Sequence, residues 1–284
     1  MRRQLFELHI AVIIMGGTGL FAKLITLPAV EIIPLRCVVA ALTLLVFVKL
    51  TGTRLVIERR ADMGWIFLMG AIVSVHWVAF FTSVQTSTVA IALIASFTFP
   101  AMTVLMEPFF FDEPLDRQNL AIALIVFGGV YVAIPGGFTG GQTAIGAAWG
   151  ILSAFLYAVR NVLYRKHLSH YPSSAMMFYQ VAVAAVVLLP FVPADIDLVK
   201  DHRWLYIVVL GVIFTAVSHT LFIDSLRTIK ASTAGMLTAL EPIYGIILAA
   251  LVISEMPEMK TVAGALIVVA ATLYTSFRVG RDGK

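Results

Sequence analysis

Thr238-Ala239-Leu240-Glu241-Pro242-Ile243-Tyr244 is the stretch on which the fold turns. It lies inside an apolar run from Ala231 to Ile253 that is long enough to cross a bilayer. Glu241 puts an acid near the middle of that run. Pro242 has no N–H, so the carbonyl of Thr238, four residues back, loses its usual helical partner. A charge and an open backbone bond are both costly at membrane depth, and together they mark a site.

The rest of the chain agrees with a membrane setting. Of 284 residues, 60% are hydrophobic and 13% charged, with a mean hydropathy of +0.97. Soluble domains carry about 25% charged residues, so the composition points to an all-α, polytopic membrane protein. The net charge of +4 does not indicate nucleic acid, because the basic residues stand singly or in pairs between apolar runs. Cys37 is the one cysteine, which excludes an intrachain disulfide. Met1-Arg2-Arg3 opens an uncleaved first helix on this reading, since no small-residue cleavage site follows.

A helix needs about 20 apolar residues to span the hydrocarbon. Ten such segments are expected, at 6–26, 29–50, 63–84, 88–110, 117–134, 143–165, 172–192, 203–226, 231–253 and 258–278. With a cytoplasmic N-terminus, fourteen Lys and Arg fall in inside segments and three in outside loops, which predicts both termini in the cytoplasm. Lys23, Arg36 and Arg160 remain within spans. The Gly- and Pro-rich stretch from Ile134 to Gly141 is the best internal boundary.

The two halves repeat. Shifted by 142 residues, Ala121–Val126 falls on Ala263–Val268 with five of six residues identical. The same register lays Pro100 on Pro242, Glu113 on Glu255 and Phe80 on Phe222. Five spans per half is an odd number, so the second copy enters the membrane inverted. Inverted repeats are common in secondary transporters, with the site near midplane at their interface. The expected units are 1–134 and 143–278.

Leu240-Glu241-Pro242-Ile243-Tyr244, the loop Ser254-Glu255 and Gly264-Ala265-Leu266-Ile267 resemble the second repeat of the EamA family of the drug/metabolite transporter superfamily. Phe99-Pro100, Asp112-Glu113 and Ala123-Leu124-Ile125 resemble its first repeat, and Pro34-Leu35-Arg36 is similar to its second helix. The resemblance implies ten transmembrane helices in two inverted five-helix repeats, a central cavity, and export or exchange of small metabolites by alternating access without ATP. It also implies a multi-pass protein of the cell membrane, a bacterial inner membrane above all.

The candidate site follows from the breaks and the intramembrane polar groups. Pro100 and Pro242 open the carbonyls of Ser96 and Thr238, hydroxyl residues able to help satisfy the backbone; two packing kinks are the plainer reading. Glu241 aligns with Phe99, so the acid exists in one half only. A buried carboxylic acid favours its neutral form, which suits proton coupling or a cationic substrate, although a structural role stays open. Arg36 can hold a substrate carboxylate or snorkel to the interface, as Lys23 is expected to do. Arg160 lies near the inner ends of helices carrying Glu107 and Asp224, and can pair with either. His76 and His219 are mid-span and suit a proton relay or one neutral hydrogen bond. Trp77, Phe80, Phe99, Tyr157, Tyr179 and Tyr244 can stack on substrate or simply pack. No spacing suggests a metal site and no cofactor is expected.

These residues predict a secondary transporter of small metabolites, amino acids first, with protons as a possible coupling ion. A multidrug or quaternary-amine transporter is the alternative within the same fold. A membrane-embedded enzyme lacks a nucleophile–base motif, and a channel lacks charge rings or a carbonyl filter.

Overall fold

The computed structural model describes residues 2–53, 55–111, 117–137, 141–226 and 237–282. Among these residues every regular element is helical. Seven helices are long and apolar enough to cross a membrane: Arg3–Leu24, Ala29–Thr51, Arg60–Thr86, Val89–Phe111, Gln142–His167, Ser174–Phe191 and Lys200–Phe222. Arg117–Ala133, Glu241–Ile253 and Met259–Thr275 are shorter apolar helices. Each expected segment overlaps one of these ten. The ninth began at 231, and its residues 231–236 lie outside the described part.

In chain order the elements are α1 (Arg2–Gly16), a 3-10 turn (Gly17–Leu20), α2 (Phe21–Leu24), α3 (Ala29–Thr51), α4 (Arg60–Thr86), α5 (Val89–Ser96), α6 (Phe99–Phe111) and α7 (Arg117–Ala133). After the turn at Ile134–Gly137 come α8 (Gln142–His167), α9 (Ser173–Leu188), α10 (Arg203–Gly211), a π-helical segment (Val212–Val217), α11 (Ser218–Leu226), α12 (Glu241–Ile253) and α13 (Met259–Asp282). In this Gly- and Pro-rich stretch Gly136, Gly137 and Gly141 are all at positive φ.

The helix ends are set by local chemistry. Gly52 adopts φ 66° after α3, where its N–H bonds the Lys49 carbonyl and that of Thr53 bonds Val48. The Thr88 hydroxyl accepts the N–H of Ile91 at 3.1 Å and caps α5. α5 stops at Ser96 and α6 resumes at Phe99, with Phe97 and Thr98 in a turn between them. Ala239 and Leu240 form the matching turn before α12. The two breaks stand 142 residues apart (239 − 97), the register of the sequence repeat. Pro100 and Pro242 are each the second residue of the restarted helix, where a missing N–H costs least.

Small residues let the helices meet at backbone distance. A Cβ on Gly146 of α8 would lie 2.4 Å from Ser87 Cβ, and one on Gly150 would lie 2.6 Å from Ala95 Cβ. The buried Ser83 hydroxyl donates to the Gly146 carbonyl at 2.6 Å in the same seam. Gly16 of α1 and Gly245 of α12 form a second seam. A Cβ on Gly16 would meet the Glu241 carbonyl oxygen at 2.8 Å, and one on Gly245 the Gly16 carbonyl oxygen at 2.7 Å. α7 and α13 touch at Gly129 and Gly264. The close approach of Gly16 and Gly245 thus fixes where Glu241 sits.

The buried apolar side chains form one cluster among α2, α3, α4, α9 and α10 and another among α5, α7, α8 and α13. Large apolar side chains such as Leu50, Phe109, Leu124, Val186 and Leu251 are exposed on the outside. In water that distribution would invite aggregation; in a bilayer it is the lipid-facing surface.

One end of the helix packing is held by opposite charges at helix termini. Lys23 Nζ donates to the Ser87 carbonyl, at the end of α4, at 2.8 Å. The Glu255 carboxylate accepts the Val89 N–H, at the start of α5, at 2.7 Å. Each charge matches the sign that its helix end favours. Lys23, expected as an interfacial anchor, thus meets a backbone carbonyl at a helix end. Glu113 lies outside the described residues.

Candidate functional site

The two helix breaks open onto a cavity of about 450 Å³. Ser96, Phe97, Phe99 and Pro100 line it from the first break, and Thr238, Ala239 and Glu241 from the second. Arg36 of α3, His76, Trp77 and Phe80 of α4, and Tyr157, Arg160 and Asn161 of α8 complete much of the wall. Met15, Thr18, Leu93, Phe214, His219, Phe222 and Thr272 supply the rest. A volume of this size suits a small organic molecule.

Arg36 is 1% exposed, and its guanidinium carbon lies 4.5 Å from the Trp77 ring centroid and 5.3 Å from that of Phe81. Its Nε and Nη1 make no hydrogen bond. Among the described residues no carboxylate pairs with it. An enclosed cation held by aromatic faces is the arrangement of a group waiting for an anion. Arg36 is therefore buried at the cavity and does not snorkel.

Arg160 likewise has no counter-charge among the described residues. Its Nε donates to Gln180 Oε1 at 3.0 Å and its Nη1 to Asn161 Oδ1 at 2.9 Å, both neutral amides. The expected pair with Glu107 does not form, because Arg165, one turn closer to the helix end, takes that carboxylate at 2.5 Å. The Asp224 side chain lies outside the described residues.

The histidines are fixed by backbone carbonyls. His76 Nδ1–H donates to the Ser153 carbonyl at 2.8 Å, and His219 Nδ1–H donates to the Thr215 carbonyl at 2.9 Å. A carbonyl only accepts, so Nδ1 carries the proton and Nε2 is left for other partners. Tyr157 stacks on His76 with centroids 4.8 Å apart and meets Phe99 edge-on at 4.9 Å. The Glu241 side chain makes no hydrogen bond or ion pair among the described residues, where the salt bridges are Arg3–Glu7, Arg165–Glu107 and His170–Asp62.

Of the thirteen candidate residues, eleven line this cavity: Glu241, Arg36, His76, Trp77, Phe99, Tyr157, Arg160, His219, Pro100, Ser96 and Thr238. Pro242 is buried beside it. Tyr244 is a correction. The close approach of α1 at Gly16 puts Tyr244 in the α1–α12 seam, with its hydroxyl 3.2 Å from His9 Nδ1. Tyr179 likewise points elsewhere, donating to the Leu55 carbonyl at 2.9 Å. The Ser96 hydroxyl was expected to satisfy opened backbone, yet it is buried without a partner. The Thr98 hydroxyl in the same break donates to the Ala95 carbonyl at 2.7 Å, a different carbonyl from the one Pro100 opens.

The sequence reading passed over Asn161, Met15, Thr18, Thr272 and Phe214. Asn161 follows Arg160 directly, and a polar pair inside an apolar span was a usable signal. Phe214 carried none. It reaches the same wall as His219 through the π segment, whose i→i+5 bonding brings residues five apart toward one side. The Thr215 hydroxyl bonds the Leu210 carbonyl, five residues back, at 2.9 Å.

Residues 5–134 and 144–277 each match the model of the EamA-like transporter family. The Bacillus subtilis uncharacterized transporter YxxF is 27% identical over 98% of this chain and 90% of its own. The Pseudomonas aeruginosa pseudopaline exporter CntI is 24% identical over 88% of this chain and 87% of its own. The S-adenosylmethionine uptake transporter of Rickettsia felis is 26% identical over 66% of this chain and 62% of its own. A solved crystal structure, 17% identical, shares the fold with a TM-score of 0.69 over the whole of both chains. Two family matches spanning nearly the entire chain, on an all-helical frame, make this multi-pass protein of the cell membrane a member of the EamA-like transporter family.

Proposed function

We propose that the protein is a secondary active transporter of small metabolites, amino acids first, that works by alternating access around the cavity between its two halves. The carrying observation is the cavity itself. It holds an uncompensated buried guanidinium on Trp77 and a lone carboxyl at Glu241, and helix breaks in matching register bound it. A group that binds a carboxylate and a group that meets an amine are what an amino acid requires.

All ten apolar helices cross the membrane in this reading, as two inverted units of five at 1–134 and 143–278, with both termini in the cytoplasm. The 142-residue register of the two breaks and the bias of basic residues support it. Glu241 alternates between a proton and the substrate amine, which couples substrate movement to a proton gradient. Its absence from the first half, where Phe99 stands, makes the coupling one-sided. Among the named relatives one is an exporter and one an uptake transporter; the net direction proposed here is export or exchange.

The test is counterflow in proteoliposomes against amino acids, polyamines and quaternary amines, with and without a pH gradient. Saturable counterflow of amino acids is the expected result. Stimulation by quaternary amines alone would move the protein to the multidrug alternative, which the aromatic wall around Glu241 favours. No stimulation by any of them would end the proposal.

A further inference from the structure

The charges on the cavity wall do not balance. Among the described lining residues Arg36 and Arg160 are cations and Glu241 is the one acid. Among the described residues neither arginine has a carboxylate partner: aromatic rings flank Arg36, and two amides hold Arg160. Gln180, which accepts from Arg160, is itself 2% exposed, so that guanidinium is positioned by a rigid, buried group. Two guanidinium groups without counter-charge in a wall of low dielectric are costly unless something anionic joins them. The restarted helices α6 and α12 begin at the same wall and add the positive ends of their dipoles.

We infer that the substrate is an amino acid carrying a second acidic group, up to roughly dipeptide size. Arg36 receives one carboxylate and Arg160 the other, while Glu241 faces the ammonium. With the histidines neutral the wall then carries +1 and the substrate −1, so the occupied cavity is neutral. This assignment rests on the transport reading above and narrows its substrate class. A neutral amino acid would leave one guanidinium unmatched, and a simple dicarboxylate would leave Glu241 facing no cation.

The experiment is counterflow with the full-length protein in liposomes, using glutamate, γ-glutamylglycine, glutamine, glutarate and leucine as trans-substrates. Glutamate or γ-glutamylglycine should exceed glutamine and glutarate by at least about tenfold. The ratio of glutamate to glutamine should collapse toward one in Arg160→Gln and be partly kept in Arg160→Lys. A thermal melt of each variant separates misfolding from lost recognition, because glutamate should raise the wild-type melting temperature and fail to raise that of Arg160→Gln. Counterflow with glutamine or leucine equal to that with glutamate overturns the second acidic group and leaves amino-acid transport standing. Glutarate equal to glutamate overturns the role of the amine. Silence of the whole panel overturns both this assignment and the transport of amino acids.

Discussion

The guanidinium of Arg36 rests 4.5 Å from the ring centroid of Trp77, and among the described residues its Nε and Nη1 are unpartnered and no carboxylate pairs with it. A buried cation in that state is a cost to the fold that only a ligand offsets. Arg36→Met should therefore lose transport and yet melt higher than the wild type in detergent. Each kcal/mol recovered corresponds to roughly 2–4 °C for a chain above 150 residues. A lower melting temperature would show that the guanidinium is needed for packing and would remove it from the site.

Glu241 is the acid of the cavity wall and has no protein partner among the described residues. Glu241→Gln keeps the shape and loses both the charge and the titration. It should raise the half-saturating concentration of amine-bearing substrates by about tenfold or more and remove the acceleration by a pH gradient. Comparing counterflow with and without the gradient checks this; an unchanged response to the gradient refutes the coupling role.

The α7–α13 seam depends on the absence of a side chain at Gly264, where a Cβ would lie 2.4 Å from the Gly129 carbonyl oxygen and 2.5 Å from Ala133 Cβ. Backbone cannot step aside as a flexible side chain can. Gly264→Ala should destabilise by about 1–3 kcal/mol, the usual cost of overpacking. Gly128→Ala, one residue from Gly129, meets nothing within 4 Å and should hold or slightly raise stability. Thermal melts of the two variants compare them directly, and equal losses would contradict the seam.

Lys23 of α2 and Glu255 of the loop after α12 clamp the α4–α5 junction. Glu255→Gln should loosen that end and expose the cavity there. Cys37 is fully buried, so a thiol introduced by Thr18→Cys reports with little background. A membrane-impermeant maleimide should label Thr18→Cys about tenfold faster in the Glu255→Gln background, corresponding to ~1.4 kcal/mol of lost closure. Equal labelling rates would mean that the clamp does not close the cavity.

Much of the site could be read from the sequence because a membrane makes polar residues conspicuous. Glu241, Arg36 and Arg160 stand out in apolar runs, and Pro100 and Pro242 announce themselves by sharing a register. Their joint appearance on one cavity follows from the cost of leaving any of them in lipid. Aromatic residues gave no such contrast. Tyr157 and Tyr244 look alike as mid-span tyrosines, yet one stacks on His76 in the cavity and the other bonds His9 in a helix seam.

By itself the sequence determined an all-helical membrane chain, the two breaks and the asymmetry of Glu241 against Phe99. These depend on composition, spacing and the missing N–H of proline, which act locally. Only the tertiary structure decided which charges stay unpaired. Arg160 turned to Gln180 and Asn161 while Glu107 went to Arg165, and Lys23 took a backbone carbonyl where an interface was expected. A side chain of that length has several partners within reach, and close approaches such as Gly16 on Gly245 settle which one it meets.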